Sequence, residues 1–326
     1  MQIAVSFFGA DVGKAEIVVA DHGRAKPVTK ILKNTPSSLS KWLQTLPPGS
    51  VLAMESTGGY ERMLADLAHE RGLRVYVLNP KALHHYAKSQ GQRGKTDRLD
   101  AIMIARFIAS EHERLHPYQP CAQYIERLRQ MLRLRRMAVI TRTQLRLSSE
   151  RHHQVHDAQA QVQKALDALT ELAKSLEDQM LAEIQAEPAL AQDFKLLTSI
   201  VGVGNLTATA LVTTFARIPF TSSDAVVAYA GLDPRPKESG AYKGMRKLSK
   251  QGDAILRSLA YNAATAAARS ITFKPMYQAL LAKGWATTQA LNIIARKLLR
   301  IAFGVWKSRK PFERELFLAN QACVKP

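Results

Sequence analysis

The chain has almost no cysteine. Cys121 and Cys323 are the only two in 326 residues, and neither has a Cys or His at metal-ligand spacing, so a disulfide scaffold is excluded and a zinc site argued against. Two isolated thiols fit a reducing compartment. Long apolar runs are missing as well: the first, Ile3 to Ala10, stops at Asp11, too short to cross a bilayer, and later ones are broken by charge. The N-terminus also lacks the basic segment of a signal peptide. The expectation is a soluble intracellular protein with no membrane partner. No period of repeat size recurs.

Negative charge is the next shortage. Against 46 Lys+Arg stand 27 Asp+Glu, a net +19, which makes nucleic acid the leading partner without separating an enzyme from a packaging protein. With 46% hydrophobic residues the chain has enough apolar material for two or three globular domains.

The first part alternates short β-branched runs with amphipathic helical ones. Strands are expected at Ile3 to Gly9, Glu16 to Ala20, Thr29 to Leu32, Val51 to Met54 and Val75 to Leu78, with helices from Leu39 to Leu46 and from Tyr60 to Arg71. Three meandering strands followed by helix-linked ones imply a mixed α/β sheet. A long arginine-rich helix follows, Ala122 to His156, in which Arg127, Arg129, Arg133, Arg135 and Arg136 either track phosphates or form a solvated face. From Val162 to Met180 apolar residues step by fours and threes, the seam of a coiled-coil arm suited to self-association.

The last part is helical. Ile200-Val201-Gly202-Val203-Gly204-Asn205 reads as a helix-hairpin-helix turn whose amides face phosphate, or else as a plain turn with glycine at the C-cap. Between Ala230 and Gly252 runs a loop dense in Gly, Pro and cations, including Lys243, Arg246, Lys247 and Lys250. It can be neither a packed helix nor a central strand. Helices are expected from Asp253 to Ala268 and from Thr287 to Trp306, with a frayed tail after Phe312. The domains are therefore set at 1–118, 119–192 and 193–326.

Four carboxylates in the first part carry the chemistry. Asp11 ends the first strand and Glu55 another, facing each other if those strands are neighbours, while Asp97 and Asp100 share one face at a helix start. Converging hard oxygens from separate elements suit a pair of Mg²⁺ ions. Taken singly, Asp97 also reads as a helix cap, Asp100 as a solvated partner of Arg98 or Lys95, and Asp11 as a turn former. Glu55, ending an apolar strand, fits such a reading least.

Gly-Ala-Asp-Val-Gly-Lys, Met-Glu-Ser-Thr-Gly and Lys-Thr-Asp-Arg-Leu-Asp-Ala, followed by Ser-Ile-Val-Gly-Val-Gly and Ala-Gly-Leu-Asp-Pro-Arg-Pro-Lys-Glu-Ser-Gly, together resemble the DEDD-type insertion-sequence transposases, a group that includes pilin-gene invertases. The similarity spans nearly the whole chain in order. It implies a RuvC-like domain of the RNase H type, a helical coiled-coil linker and a helical C-terminal transposase domain. The metal-binding tetrad becomes Asp11, Glu55, Asp97 and Asp100, holding Mg²⁺ or Mn²⁺, and Ser239 becomes a nucleophile that forms a phosphoserine link to DNA. Ser239 has cations nearby in sequence to favour its alkoxide, though an isolated Ser-Gly also reads as a turn. Ala241-Tyr242-Lys243 departs from the serine- and glycine-rich sequence of many relatives. The resemblance further implies donor and target DNA, a structured bridge RNA as guide, a homo-oligomer passing from dimer to tetramer with sites shared between chains, and a bacterial cytoplasm as the setting. The competing readings are a RuvC-like endonuclease that hydrolyses DNA without a covalent step, an actin-like ATPase or sugar kinase, for which a second Asp-Gly phosphate loop is missing, and a catalytically silent packaging protein.

Overall fold

The computed structural model describes residues 5–23, 27–91, 94, 96–151, 158–235, 238–239, 242–243 and 247–322. Two compact units divide the chain, Met1–Pro120 and Cys121–Pro326.

In the first unit β1 (Phe7–Val12), β2 (Glu16–Asp21) and β3 (Thr29–Lys33) form an antiparallel meander, and β4 (Val51–Glu55) and β5 (Arg74–Leu78) add in parallel beside β1. The order β3-β2-β1-β4-β5 is the mixed sheet of the RNase H type. Alternation along the strands sends side chains to two faces. Ala10, Val12, Leu52 and Met54 pack against α1 (Pro36–Leu43) and α2 (Arg62–Glu70). Val51 and Ala53 point the other way, toward α3 (Pro80–Ser89) and α4 (Asp97–Glu111).

Two expectations need correction here. The first strand runs from Phe7 to Val12 rather than ending at Gly9, because pairing with β2 continues through Val12↔Ile17. Asp11 therefore lies within the ladder. Helix α3, for which no element was expected, starts where Asn79 accepts a hydrogen bond from the Lys81 N–H at 2.9 Å and Pro80 takes the first helical position.

The second unit is mostly helical. Helices α5 (Gln123–Arg151) and α6 (Gln159–Ala186) pack side by side, and Ala173, Leu176 and Met180 of the apolar seam are buried while Val162, Leu166 and Leu169, farther out, are half-buried. The base of this pair joins one apolar cluster with α7 (Pro188–Thr198), α8 (Asn205–Arg217), α9 (Ser223–Tyr229), α10 (Ala254–Ala267), α11 (Lys274–Ala282) and α12 (Thr287–Ser308). As far as Ala322 the tail is not frayed as expected. Helix α13 (Arg314–Ala322) buries Phe317, whose ring lies 4.7 Å from that of Phe273. No helix among the described residues is long and apolar enough to cross a membrane.

Candidate active site

One glycine sets the geometry of the carboxylates. A Cβ on Gly9 would stand 2.3 Å from both the Ala101 carbonyl oxygen and the Ala105 nitrogen, so α4 rides directly on the backbone of β1 at this point. At the other end of the helix, His112 places its ring 4.9 Å from that of Phe7, the first residue of β1. Helix α4 thus runs antiparallel to β1. Its first turn, with Asp97 and Asp100, lies toward the end of the strand that carries Asp11.

Asp11 and Glu55 are side by side. The parallel register pairs Gly9 with Ala53 and Ala10 with Met54, and the next residues along are the two acids, on strands about 4.8 Å apart. By alternation both share the face of Gly9 and Ala53, the face covered by α4. Asp11, Glu55 and Asp100 are half-buried and Asp97 is exposed. The helix cap is Thr96, whose hydroxyl accepts from the Leu99 N–H at 3.2 Å, which leaves Asp97 at the first helical position without the capping role.

The donor set suits a hard divalent cation, being all carboxylate oxygen from three elements. Among the described residues, however, no three His, Cys, Asp or Glu stand close enough together to hold a metal ion. The strand register brings Asp11 and Glu55 together, and the first turn of α4 carries Asp97 and Asp100.

Two residues that hold the neighbouring loops escaped the sequence reading. Glu61 accepts from the N–H groups of Gly59 at 2.8 Å and Thr57 at 3.2 Å, and from the hydroxyls of Thr57 at 3.0 Å and Ser56 at 3.3 Å. It clamps the turn that follows Glu55, where Gly58 and Gly59 take φ of 84° and 130°. Burial pushes the Glu61 carboxyl up, but hydrogen bonds from the backbone of Glu61 and Gly59 and from Thr57 outweigh it and hold the group below its ordinary value. Asn34 donates to the Gly13 carbonyl at 3.0 Å and to the Tyr60 carbonyl at 3.4 Å, joining the turns after β1 and β4. The only sequence signal for Glu61 is an acid following a Gly-Gly turn; Asn34 has none, since its partners are distant in sequence.

Ser239 lies in a different kind of structure. It ends β7 (Glu238–Ser239), paired with β8 (Tyr242–Lys243), beyond a second two-residue ladder of β6 (Pro234–Arg235) and β9 (Lys247–Leu248). The expected loop is a stepped ribbon. Its base is fastened by side chains: the Ser249 hydroxyl donates to Asp233 and Arg235 donates to Gln251. Below the ribbon, Gly252 lies against Tyr229, whose carbonyl oxygen would be 2.1 Å from an added Cβ.

A family model described as a transposase matches residues 8–152, and one described as the transposase IS116/IS110/IS902 family matches residues 194–279. Pilin gene-inverting protein of Moraxella lacunata is 30% identical over 273 residues, 81% of this chain and 82% of the relative. The chain belongs to the IS116/IS110/IS902 transposase family. The transposase for insertion sequence element IS1328 of Yersinia enterocolitica is 25% identical across 92% of this chain and 96% of that one. Among solved structures, T. thermophilus RuvC in complex with Holliday junction substrate aligns at 14% identity and a TM-score of 0.28, covering 35% of this chain and 99% of that one.

In this transposase-family chain the candidate nucleic-acid contacts occupy unlike positions. Arg127 pairs with Glu183 at 3.4 Å and Arg135 with Glu177 at 2.8 Å, both fastening α5 to α6. Arg129 pairs with Glu126 of its own helix at 2.7 Å, and Arg136 donates to the Ala254 carbonyl at 2.9 Å. Arg133 is exposed. Gly202, at φ 90°, serves close packing, because an added Cβ would lie 2.5 Å from the Ala263 carbonyl oxygen of α10. Gly204 caps α8 with open space around it. Lys247 and Lys250 are exposed, Lys243 belongs to β8, and Arg246 lies outside the described residues.

Proposed function

We propose that this protein is a DNA transposase that cleaves and rejoins strands through the Asp11, Glu55, Asp97 and Asp100 carboxylates and the Ser239 hydroxyl. The observation that carries this reading is the adjacency of Asp11 and Glu55 on parallel strands, with the acidic first turn of an antiparallel α4 over the same face. The names of the relatives, transposase and gene-inverting protein, point the same way.

Asp11, Glu55, Asp97 and Asp100 are the residues that would hold Mg²⁺, or Mn²⁺ in its place. Bound there, the ion supplies Lewis-acid stabilisation of charge on the phosphate oxygens. The Ser239 oxygen attacks phosphorus, its proton passes to a base, and the bond to the leaving strand's oxygen breaks, giving a phosphoserine ester. Reversal by a different strand end restores the hydroxyl and joins new partners. An oligomer, dimeric and then tetrameric on synapsis, brings donor and target DNA together, and a structured bridge RNA selects both by base pairing. The net charge of +19 supports such a load of polyanion.

The test uses the full chain with guide RNA and labelled DNA in Mg²⁺, resolved on denaturing gels. A DNA–protein adduct that disappears in Ser239→Ala is the expected result. Cleavage that persists in Ser239→Ala with no adduct would make the protein a hydrolytic endonuclease instead.

A further inference from the structure

In the second unit a small cavity lies between α5, α8 and α10, bordered by Arg129, Arg133, Arg217, Tyr229 and Asp253. Its charges are unevenly matched. Three guanidinium groups line it with one carboxylate, which is already in use: Asp253 caps α10 by accepting from the Ile255 and Leu256 N–H groups at 2.8 and 2.9 Å, while Arg129 pairs with Glu126 outside the lining. Arg133 stands exposed at the rim and makes no ion pair with a described residue.

Arg217 is half-buried. One terminal nitrogen donates to the Tyr229 hydroxyl at 2.5 Å, while its Nε is buried with no hydrogen-bond partner. A buried donor left unmade costs about 1–3 kcal/mol and more on a charged group, so an acceptor is the missing piece. Burial, reinforced by the Arg129 charge, holds the Arg217 guanidinium below its ordinary value. Burial also pushes Tyr229 up, which keeps it a phenol with a hydrogen to give.

We propose that this cavity is a phosphodiester site, in which an oxygen of a nucleic-acid backbone takes the Arg217 Nε and Tyr229 hydrogens while Arg133 meets the charge at the rim. Size decides between an enclosed ion and a strand. The cavity holds about 30 Å³, room for roughly one water-sized group, so one phosphate oxygen enters and the rest of the chain stays outside. The site rests on the reading of this protein as a nucleic-acid enzyme but needs neither the carboxylates nor Ser239. It also separates the arginines of α5: Arg129 and Arg133 border the site, whereas Arg127 and Arg135 brace α6.

The test measures binding of the full chain to a short DNA duplex and, separately, to a short RNA hairpin across a salt series in EDTA. Removing Arg217 risks the fold, so the variants are Arg133→Gln at the rim and Tyr229→Phe, which removes only the hydroxyl; Lys283→Gln is the control. For a strand that uses the site, Arg133→Gln lowers the salt slope by about 0.9 on DNA or 0.7 on RNA, and Tyr229→Phe weakens binding about fivefold. Loss in one arm alone names the strand. Both variants binding both nucleic acids as the unaltered chain does would overturn the site and leave the proposed function standing, whereas an unaltered chain that binds neither would overturn that function along with it.

Discussion

The carboxylate pair and the serine are held by opposite means. Asp11 and Glu55 extend from a five-stranded sheet, and α4 is seated over them by contact between helix and strand backbones at Gly9. Ser239 sits at the end of two ladders of two residues each, fastened at the base by Asp233 with Ser249 and Arg235 with Gln251. A sheet position is shared among many hydrogen bonds and a buried apolar face. A short ribbon depends on a few side chains near water. Under the proposed function the first would anchor ions and phosphate, and the second would present the serine that exchanges strands.

The largest effect should come from the fixed side. Asp11→Asn keeps the shape of the side chain and removes its charge, so strand cleavage is expected to fall at least about 10²-fold, as on deleting one preorganised electrostatic group, with DNA affinity in EDTA unchanged. Full activity in that variant would separate the strand pair from the chemistry. In the unaltered protein Mg²⁺ should also raise the melting temperature of the first unit, and Asp11→Asn should abolish that rise. Next comes Gly9→Val. Its Cβ meets backbone atoms of α4 that cannot move aside separately, so a loss near the upper end of overpacking, about 3 kcal/mol, should appear as a lower denaturation midpoint. In the second unit Gly202→Ala should cost a comparable amount, from a 2.5 Å contact with the Ala263 carbonyl oxygen and a φ of 90° together.

What was legible in the sequence follows the same division. Alternating β-branched runs and a mixed order of connections made the sheet readable, and with it the approach of Asp11 to Glu55, because period and topology are local or nearly local signals. The end of β1 was set too early, at Gly9, because the apolar run stops before Asp11 while pairing extends to Val12. Gly9 itself looked ordinary, since a glycine at a helix–strand crossing differs from a turn glycine only once the helix is in place. The ribbon around Ser239 read as a loop because two-residue ladders leave no periodicity. Phe317 was lost in an apparently frayed tail, its burial set by Phe273 far back in the chain.

A smaller effect is expected at the ribbon. Ser249→Ala removes the hydroxyl that donates to Asp233 but leaves the Ser249 N–H bonded to the Asp233 carbonyl at 2.9 Å. The loss in global stability should be about 1 kcal/mol, the usual worth of one hydrogen bond. Adduct formation at Ser239 should slow more than that figure alone implies, because the Ser249–Asp233 bond ties the two strands at the base of the ribbon that carries the serine. If stability falls and the adduct rate does not, the base of the ribbon does not position the serine.

The smallest effect is visible only in acid. Burial pushes the Glu61 carboxyl up, but the hydrogen bonds from the Glu61 and Gly59 backbone and from Thr57 overcome it, so the group titrates below its ordinary value of 4.5 in the folded chain. A carboxyl lowered by folding stabilises the fold at pH above its unfolded value and loses that contribution as pH falls through the lower folded value. Hydrogen exchange of the Thr57 and Gly59 amides should therefore be slow above about pH 4.5 relative to intrinsic rates and lose protection below it. Glu61→Gln should flatten that dependence, because the amide does not ionise there. Retention of the full pH response in the variant would move its origin to another carboxylate and leave Glu61 as a neutral spacer beside Glu55.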